Sequence, residues 1–400
     1  MENTNSDITA NNEPPPVDAG NSNGNGGNNG TGYKLPQKVA VLYTDAKREY
    51  FPTEALYITE QDAEKEANII TSYIEKLGIE CRALPADLNL IDNLKEFKPE
   101  MVFNLVYSVK GSDYSAATVP AILDFLEIPY TGADFFGYAF NTDKFLVKEV
   151  LQRAGIPVPH YQLFTTPNDP IDYNLRFPLI SKLNEVHCGV EITKDSISEN
   201  EKHLRERLKY LITTYKQPVV VEEFIAGREV TAILLEGLNK KVYLGEKMFF
   251  NPDEKYNFVT FEEQWLGESN AATFKYEKFD DPVIREYVKR AFDATRMYDY
   301  AKFDIRIDQS GRYYFIDANC NPAFGPKIMD VALSSILSIY GISFYEILRR
   351  LINNTLYGSQ PDPRTVSLNG LMAVGSLSIY KNQNNNPMGQ QNDNLNLSDS

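Results

Sequence analysis

From Ala301 to Pro322 the chain reads AKFDIRIDQSGRYYFIDANCNP, two runs rich in β-branched and aromatic residues broken by Ser310-Gly311. A small polar residue followed by Gly turns a chain back on itself, so the stretch predicts a ribbon of two antiparallel strands with a two-residue turn. In that register Asp304 lies opposite Asp317 and Lys302 opposite Asn319, and the period of two puts all four on one face. Carboxylates directly across a sheet repel each other unless something positive sits between them. Two carboxylates and an amide oxygen, with positions left for water and phosphate, suit Mg2+, with Mn2+ as a substitute. Lys302 and Arg306 share the face and can neutralise the pair without a metal, so the ribbon alone leaves both readings open.

The 400 residues exceed one ordinary domain and predict two or three compact units. A net charge of -15 excludes the basic footprint that nucleic acid or an anionic membrane surface requires. No apolar run reaches the length of a spanning helix, and the N-terminus lacks a basic-then-apolar leader. Cys81, Cys188 and Cys320 are scattered, which suits reduced thiols that act as packing residues, and only His160, His187 and His203 could join them at zinc. The expected location is cytoplasmic.

Residues 1–37 are dominated by Asn, Gly and Pro and the stretch from about Lys381 to Ser400 by Asn and Gln, so 1–37 reads as a disordered tail and 358–400 as a mostly disordered one. Between them, KVAVLY at Lys38 and MVFNLVYS at Met101 read as buried strands. A helical pattern from Glu60 to Leu77, stopped by Gly78 and followed by polar turns, separates them. VPAILDFLEI supplies another helix, which makes residues 38–142 a parallel α/β unit. A helix from Asp143 to Ala154, strands at FPLISKL and PVVVEEFI, and a charged helix from Ser198 to Tyr215 make residues 143–226 a small α+β unit. EVTAILLE, KVYLGEKMFF, a helix from Pro282 to Tyr298, the ribbon, and a helix from Ser343 to Asn353 fill residues 227–357.

Five stretches, in order, resemble the D-alanine:D-alanine ligase family of ATP-grasp enzymes: IPYTG at Ile128, TDKFLVKEVLQRAGIPVP at Thr142, FPLISK at Phe177, VVVEEFIAGREVT at Val219, and the ribbon itself. The resemblance spans most of residues 38–353. It implies an α/β ATP-grasp fold with a Rossmann-like pre-ATP-grasp domain, a central ATP-binding subdomain and a C-terminal subdomain with the metal site. It implies a ligase that uses ATP and Mg2+ to phosphorylate a small-molecule carboxylate, whose acyl phosphate an amine then attacks, releasing ADP; a homodimer is compatible with it. By resemblance Lys144 and Lys182 reach the ATP phosphates, Glu222, Glu223, Phe224 and Ile225 line the adenine, and Glu229 holds the ribose. Asp304, Asp317 and Asn319 hold magnesium, and Lys302, with Arg306 as a substitute, steadies the oxyanion.

Several stretches depart from the family pattern. The loop that holds the first ammonium reads Ala46-Lys47-Arg48-Glu49, whose Lys47 points to an anionic or neutral first substrate other than D-alanine. The phosphate-covering loop is a bulky Asn184-Glu185-Val186-His187-Cys188-Gly189. A Lys-Tyr pair that follows Tyr-Glu-Ala in the family is replaced, on this alignment, by Gln264-Trp265 after Phe261-Glu262-Glu263. Ala323 stands for a glycine near the second substrate. Two readings stay open: a ligase of shifted specificity, and a non-catalytic ATP-binding protein.

Overall fold

In the computed structural model residues 34–251, 254–266 and 273–358 are described. The expected tails lie outside the described residues except for 34–37 and 358. Leu35 packs against the core and the Lys34 carbonyl accepts from the Tyr357 hydroxyl at 2.6 Å, so residues just before the first strand belong to the fold.

Three sheets follow one another along the chain. The first is parallel, in the order β2-β1-β3, with β1 at Lys38–Tyr43, β2 at Glu80–Pro85 and β3 at Met101–Leu105. Strand β2 falls where the sequence predicts only polar turns. ECRALP is too polar to read as a strand alone, and its pairing with β1, some forty residues away, makes it one. The second sheet runs β4-β7-β5-β6, with β4 at Tyr161–Phe164, β5 at Leu179–Leu183, β6 at Ile197–Ser198 and β7 at Val219–Glu223, and the helix Glu201–Tyr215 packs on it. The third runs β10-β9-β8-β11-β12, with β8 at Gly227–Leu235, β9 at Lys241–Phe249, β10 at Phe274–Phe279, β11 at Tyr300–Asp308 and β12 at Tyr313–Asn319.

The two faces of the third sheet are unlike. Val230, Ala232 and Leu234 of β8 join Phe303, Ile305 and Ile307 of β11 in a core covered by the helix Pro282–Ala294, whose Ile284, Val288 and Ala291 are buried. On the other face Ile233, Leu235 and Tyr300 meet the helices Ala332–Ile339 and Phe344–Tyr357. Toward the start of β8 that second face turns polar at Glu229 and Thr231. Period-2 alternation thus gives one face of one sheet an apolar half that anchors it and a polar half that is left for chemistry.

The predicted ribbon forms, but by a different route. Asp308 pairs with Arg312 around a three-residue loop, Gln309 to Gly311, in which Gly311 adopts φ +79°. The turn is one residue longer than predicted, and a bulge at Ile316 restores the register, so that Asp304 still faces Asp317 and Lys302 still faces Asn319. A left-handed residue followed by a bulge is an ordinary solution for a ribbon that must twist.

Gly227 opens β8 with φ +148°, and a Cβ there would sit 2.1 Å from the Ile307 carbonyl oxygen. Gly227→Ala is expected to lower stability by roughly 2–4 kcal/mol. Gly311→Ala, where no atom lies within 4 Å of the would-be Cβ, should lose only about 1 kcal/mol. Denaturant midpoints of the two variants test this ranking, and equal losses would contradict it.

Candidate active site

On the polar half of the third sheet the side chains form a ladder of alternating charge. Glu229 accepts from Lys247 of β9 at 2.5 Å and from Arg306 of β11 at 2.6 Å, and it is 5% exposed. Next to it Asp304 accepts from the Thr231 hydroxyl at 2.7 Å and pairs with the ammonium of Lys302, and Lys247 lies 3.9 Å away. Burial alone would push both carboxyls up. The lysine and arginine charges outweigh it, so Glu229 and Asp304 are held below the usual carboxylate range and both stay ionised. Asp317, opposite Asp304, carries no hydrogen bond or ion pair among the described residues, yet its charge acts on Lys144, Lys148 and Lys302. The Asn319 amide oxygen accepts from the Asn321 N–H at 2.9 Å and keeps its second lone pair.

The arrangement fits a hard divalent cation. Asp304, Asp317 and Asn319 present oxygen donors at neighbouring positions, and an ammonium already stands beside Asp304 as a stand-in positive charge. The described residues include no group of three or more His, Cys, Asp or Glu that could hold a metal without such an amide and outside oxygens. Arg306 is 3% exposed, stacked 5.0 Å from the Phe224 ring, and committed to Glu229 and the Ile225 and Asn257 carbonyls. Lys302 is therefore the cation paired with Asp304, and Arg306 fixes Glu229.

The second sheet, through Lys182 of β5, and the helix Lys144–Arg153, through Lys148, bring lysines to the same place. Glu222 is 1% exposed and pairs with Lys148 at 2.5 Å and with Lys182. Both lysines also approach the carbonyl of Ile316, at 3.4 and 3.1 Å. Ile316 is the bulge residue of β12, so the irregularity that resets the aspartate register also turns a carbonyl toward these two lysines. Lys144, at the start of the helix Lys144–Arg153, donates to the Val186 carbonyl of the bulky loop. Burial pushes both Lys144 and Lys148 below the usual lysine range, with Asp317 and other anions opposing it. Lys148 went unread in the sequence. Its helix position faces Glu222, but only the folded packing shows that.

In the Glu222 to Ile225 stretch, Glu223 N–H is taken by the His160 carbonyl and Phe224 N–H by the Pro178 carbonyl, at 2.9 and 3.0 Å. The Ile225 N–H has no partner among the described residues and is the donor left for a ligand edge. Tyr256 lies edge-on to Phe224 at 5.2 Å, and Lys255 pairs with Glu199 at 2.5 Å. Glu254-Lys255-Tyr256 is thus a Lys-Tyr pair after an acid, nine residues before Gln264-Trp265, and it sits beside the strand expected to line adenine. Trp265 donates from its indole nitrogen to the Cys188 carbonyl at 3.0 Å.

Lys47 does not reach into the site. It is bonded to Asp45 at 2.7 Å, half exposed, and the nearby cavity of about 100 Å3 is lined instead by Glu60, Asp62, Glu66, Tyr107 and Trp265. The inference from Lys47 to an anionic or neutral first substrate therefore loses its basis. Cys81 and Cys320 are buried, and burial pushes both thiols up to about 12, as suits packing residues.

Lys148→Met should cost about 3–5 kcal/mol, because Glu222 keeps its charge in a buried setting with half its compensation gone. The double change Lys148→Met with Glu222→Leu should recover most of that loss, as read by thermal melting. Glu60 supplies a pH test. Burial, with the Asp113 charge added, raises its carboxyl from 4.5 to about 8. The folded protein then binds a proton that the unfolded chain releases, so this group's contribution to stability falls as pH rises from 4.5 through 8. Glu60→Gln removes that dependence. The melting temperature of the variant minus that of the wild type should climb over this window and level off above it, and a flat difference would refute the assignment.

The family model D-ala D-ala ligase C-terminus matches residues 150–353. An uncharacterized protein, y4sG, of Sinorhizobium fredii is 27% identical over 270 residues, covering 64% of this chain and 78% of its own. A D-alanine–D-alanine ligase of Aquifex aeolicus is 28% identical over 262 residues, covering 64% and 84%. Among solved structures, a D-alanine–D-alanine ligase of Bacillus anthracis complexed with ATP superposes with a TM-score of 0.60 at 18% identity, covering 85% of this chain and 99% of its own. The VanG D-Ala:D-Ser ligase of Enterococcus faecalis gives 0.58 at 18%, covering 80% and 99%. The three sheets are those of the α/β ATP-grasp fold, and with the family model matching half its length, this chain belongs to the D-alanine–D-alanine ligase family of ATP-grasp proteins.

Proposed function

We propose that this protein is an ATP- and magnesium-dependent ligase that joins a small-molecule carboxylate to an amine through an acyl phosphate, and that its substrate pair is not D-alanine with D-alanine. The observation that carries the reading is the placement of Asp304 opposite Asp317 with Asn319 beside them, where the Asp317 charge acts on Lys144 and Lys148 of the helix Lys144–Arg153 and on Lys302 of β11. Asp304, Asp317 and Asn319 would hold a divalent cation, whose charge would offset the negative charge that develops in phosphoryl transfer. Lys144 and Lys182, on flexible stems, would leave the carbonyls and Glu222 for phosphate oxygens. Lys148 stays behind to keep Glu222 neutralised. The Ile225 N–H and the Phe224 ring offer the adenine a donor and an apolar wall. Glu229, fixed by Arg306 and Lys247, offers the ribose hydroxyls an acceptor.

Lys302 would support the oxyanion formed at the acyl carbon when the amine attacks the acyl phosphate and phosphate leaves. The case for a non-catalytic protein rested on a missing Lys-Tyr pair, and Lys255-Tyr256 beside Phe224 weakens it. Departure from D-alanine is supported by the bulky Asn184 to Gly189 loop. No described helix is long and apolar enough to cross a membrane, and a cytoplasmic enzyme with reduced thiols is the setting that fits this chemistry.

A phosphate-release screen with ATP and Mg2+, across pairs of amino acids, peptides and hydroxy acids, tests the function. At least one pair other than D-alanine with itself should release phosphate, and Asp317→Asn should slow it on the order of 100-fold or more. Stabilisation by ATP without phosphate release from any pair would support the binding-only protein instead.

A further inference from the structure

The charge ladder on the third sheet is complete without a metal. Its cations are Lys247, Lys302 and Arg306, and its anions are Glu229, Asp304 and Asp317, so the named charges cancel. A divalent ion added to that face alone would leave it with excess positive charge at a site of low exposure, which is costly. Added together with a triphosphate, the same ion meets a large negative charge. Geometry sharpens the point. The Lys302 ammonium stands on one oxygen of Asp304 while the Thr231 hydroxyl holds the other, so no oxygen of Asp304 is free of a donor. Each oxygen keeps a second lone pair, but the ammonium on one of them places a positive charge where a divalent ion would sit, so departure of Lys302 favours the metal. Thr231 is 0% exposed with its short side chain inside the sheet, whereas Lys302 is partly exposed on a long flexible stem.

We propose that Lys302 is an internal counter-ion for the metal site: it occupies Asp304 in the nucleotide-free protein, keeps divalent ions from binding alone, and is expelled toward the reacting carboxylate when metal and nucleotide enter together. This rests on Asp304 and Asp317 being the metal ligands, as proposed above. It adds that Lys302 is a positioning residue whose release is coupled to loading, so the oxyanion support arrives only once the phosphates are in place. An Arg at this position would keep the charge, whereas Met or Gln removes it and leaves the face one charge short.

Mn2+ binding, followed by the paramagnetic resonance signal of the free ion, tests the coupling on the full chain with and without a non-hydrolysable ATP analogue. Wild-type protein should bind Mn2+ weakly alone and at least tenfold more tightly with the analogue. Lys302→Met should bind Mn2+ alone at least tenfold more tightly than wild type, and its melting temperature in chelator should fall and be recovered by Mn2+. Lys302→Gln serves the same purpose should the Met variant fold poorly, and Lys302→Arg should behave like wild type. Unchanged Mn2+ affinity in both neutral variants, with analogue-dependent binding intact, would overturn the counter-ion role and leave the metal site standing. Absence of analogue-dependent Mn2+ binding in wild type would instead remove the metal site and this inference with it.

Discussion

The structure depends on one constraint: charges placed on a sheet face that the fold partly buries must be matched strand by strand. Across β9, β8, β11 and β12 the sequence of contacts is Lys247 to Glu229 to Arg306, then Thr231 and Lys302 to Asp304, then Asp317. Apart from Lys302 and Asp304, which stand two residues apart on β11, each link joins residues on neighbouring strands. Removing one partner would leave a buried charge uncompensated, which is why such a ladder resists piecemeal change more than its modest net energy suggests. The apolar half of the same face, packed under two helices, holds the strands in the register that makes the matching possible.

A single irregularity then links this ladder to the neighbouring sheet. The bulge at Ile316 disrupts the ribbon's pairing by one residue and in return offers a carbonyl to Lys148 and Lys182. Bulges commonly re-aim backbone or side chains near functional positions. Here the effect is that Lys148 and Lys182 converge with the carboxylates of the third sheet, with Glu222 taking up the lysine charge in the absence of phosphate. Both Lys182 and Lys302 therefore rest on carboxylates, an arrangement in which an incoming polyanion trades places with acids that are already paired.

Much of this was legible beforehand, for identifiable reasons. Strands β1, β3, β7 and β8 are dense apolar runs, and the helix Lys144–Arg153 is bounded by Asp143 and by Gly155 with Pro157, so local signals sufficed. Strand β2 was not legible, because a polar hexapeptide becomes a strand only through its remote partner. The Asp304 to Asp317 pairing was anticipated through a two-residue turn, whereas the structure reaches it by a longer turn and a compensating bulge. The two offsets cancel, and nothing in the local sequence announces the bulge. Lys148 and the Tyr256 to Phe224 contact were missed because each is defined by what lies across the site.

Residue types and their alternation determined on their own that acids and bases would share one face of one ribbon, and that the segments around it would alternate between helix and strand. Those are short-range consequences of side-chain period and turn chemistry, and they need no partner. That Arg306 serves Glu229 and Lys247 joins it there, leaving Lys302 to its near neighbour Asp304, was decided by tertiary structure. The reason is physical: ion pairing in a partly buried site is chosen by distances between strands that the chain brings together only after it has folded.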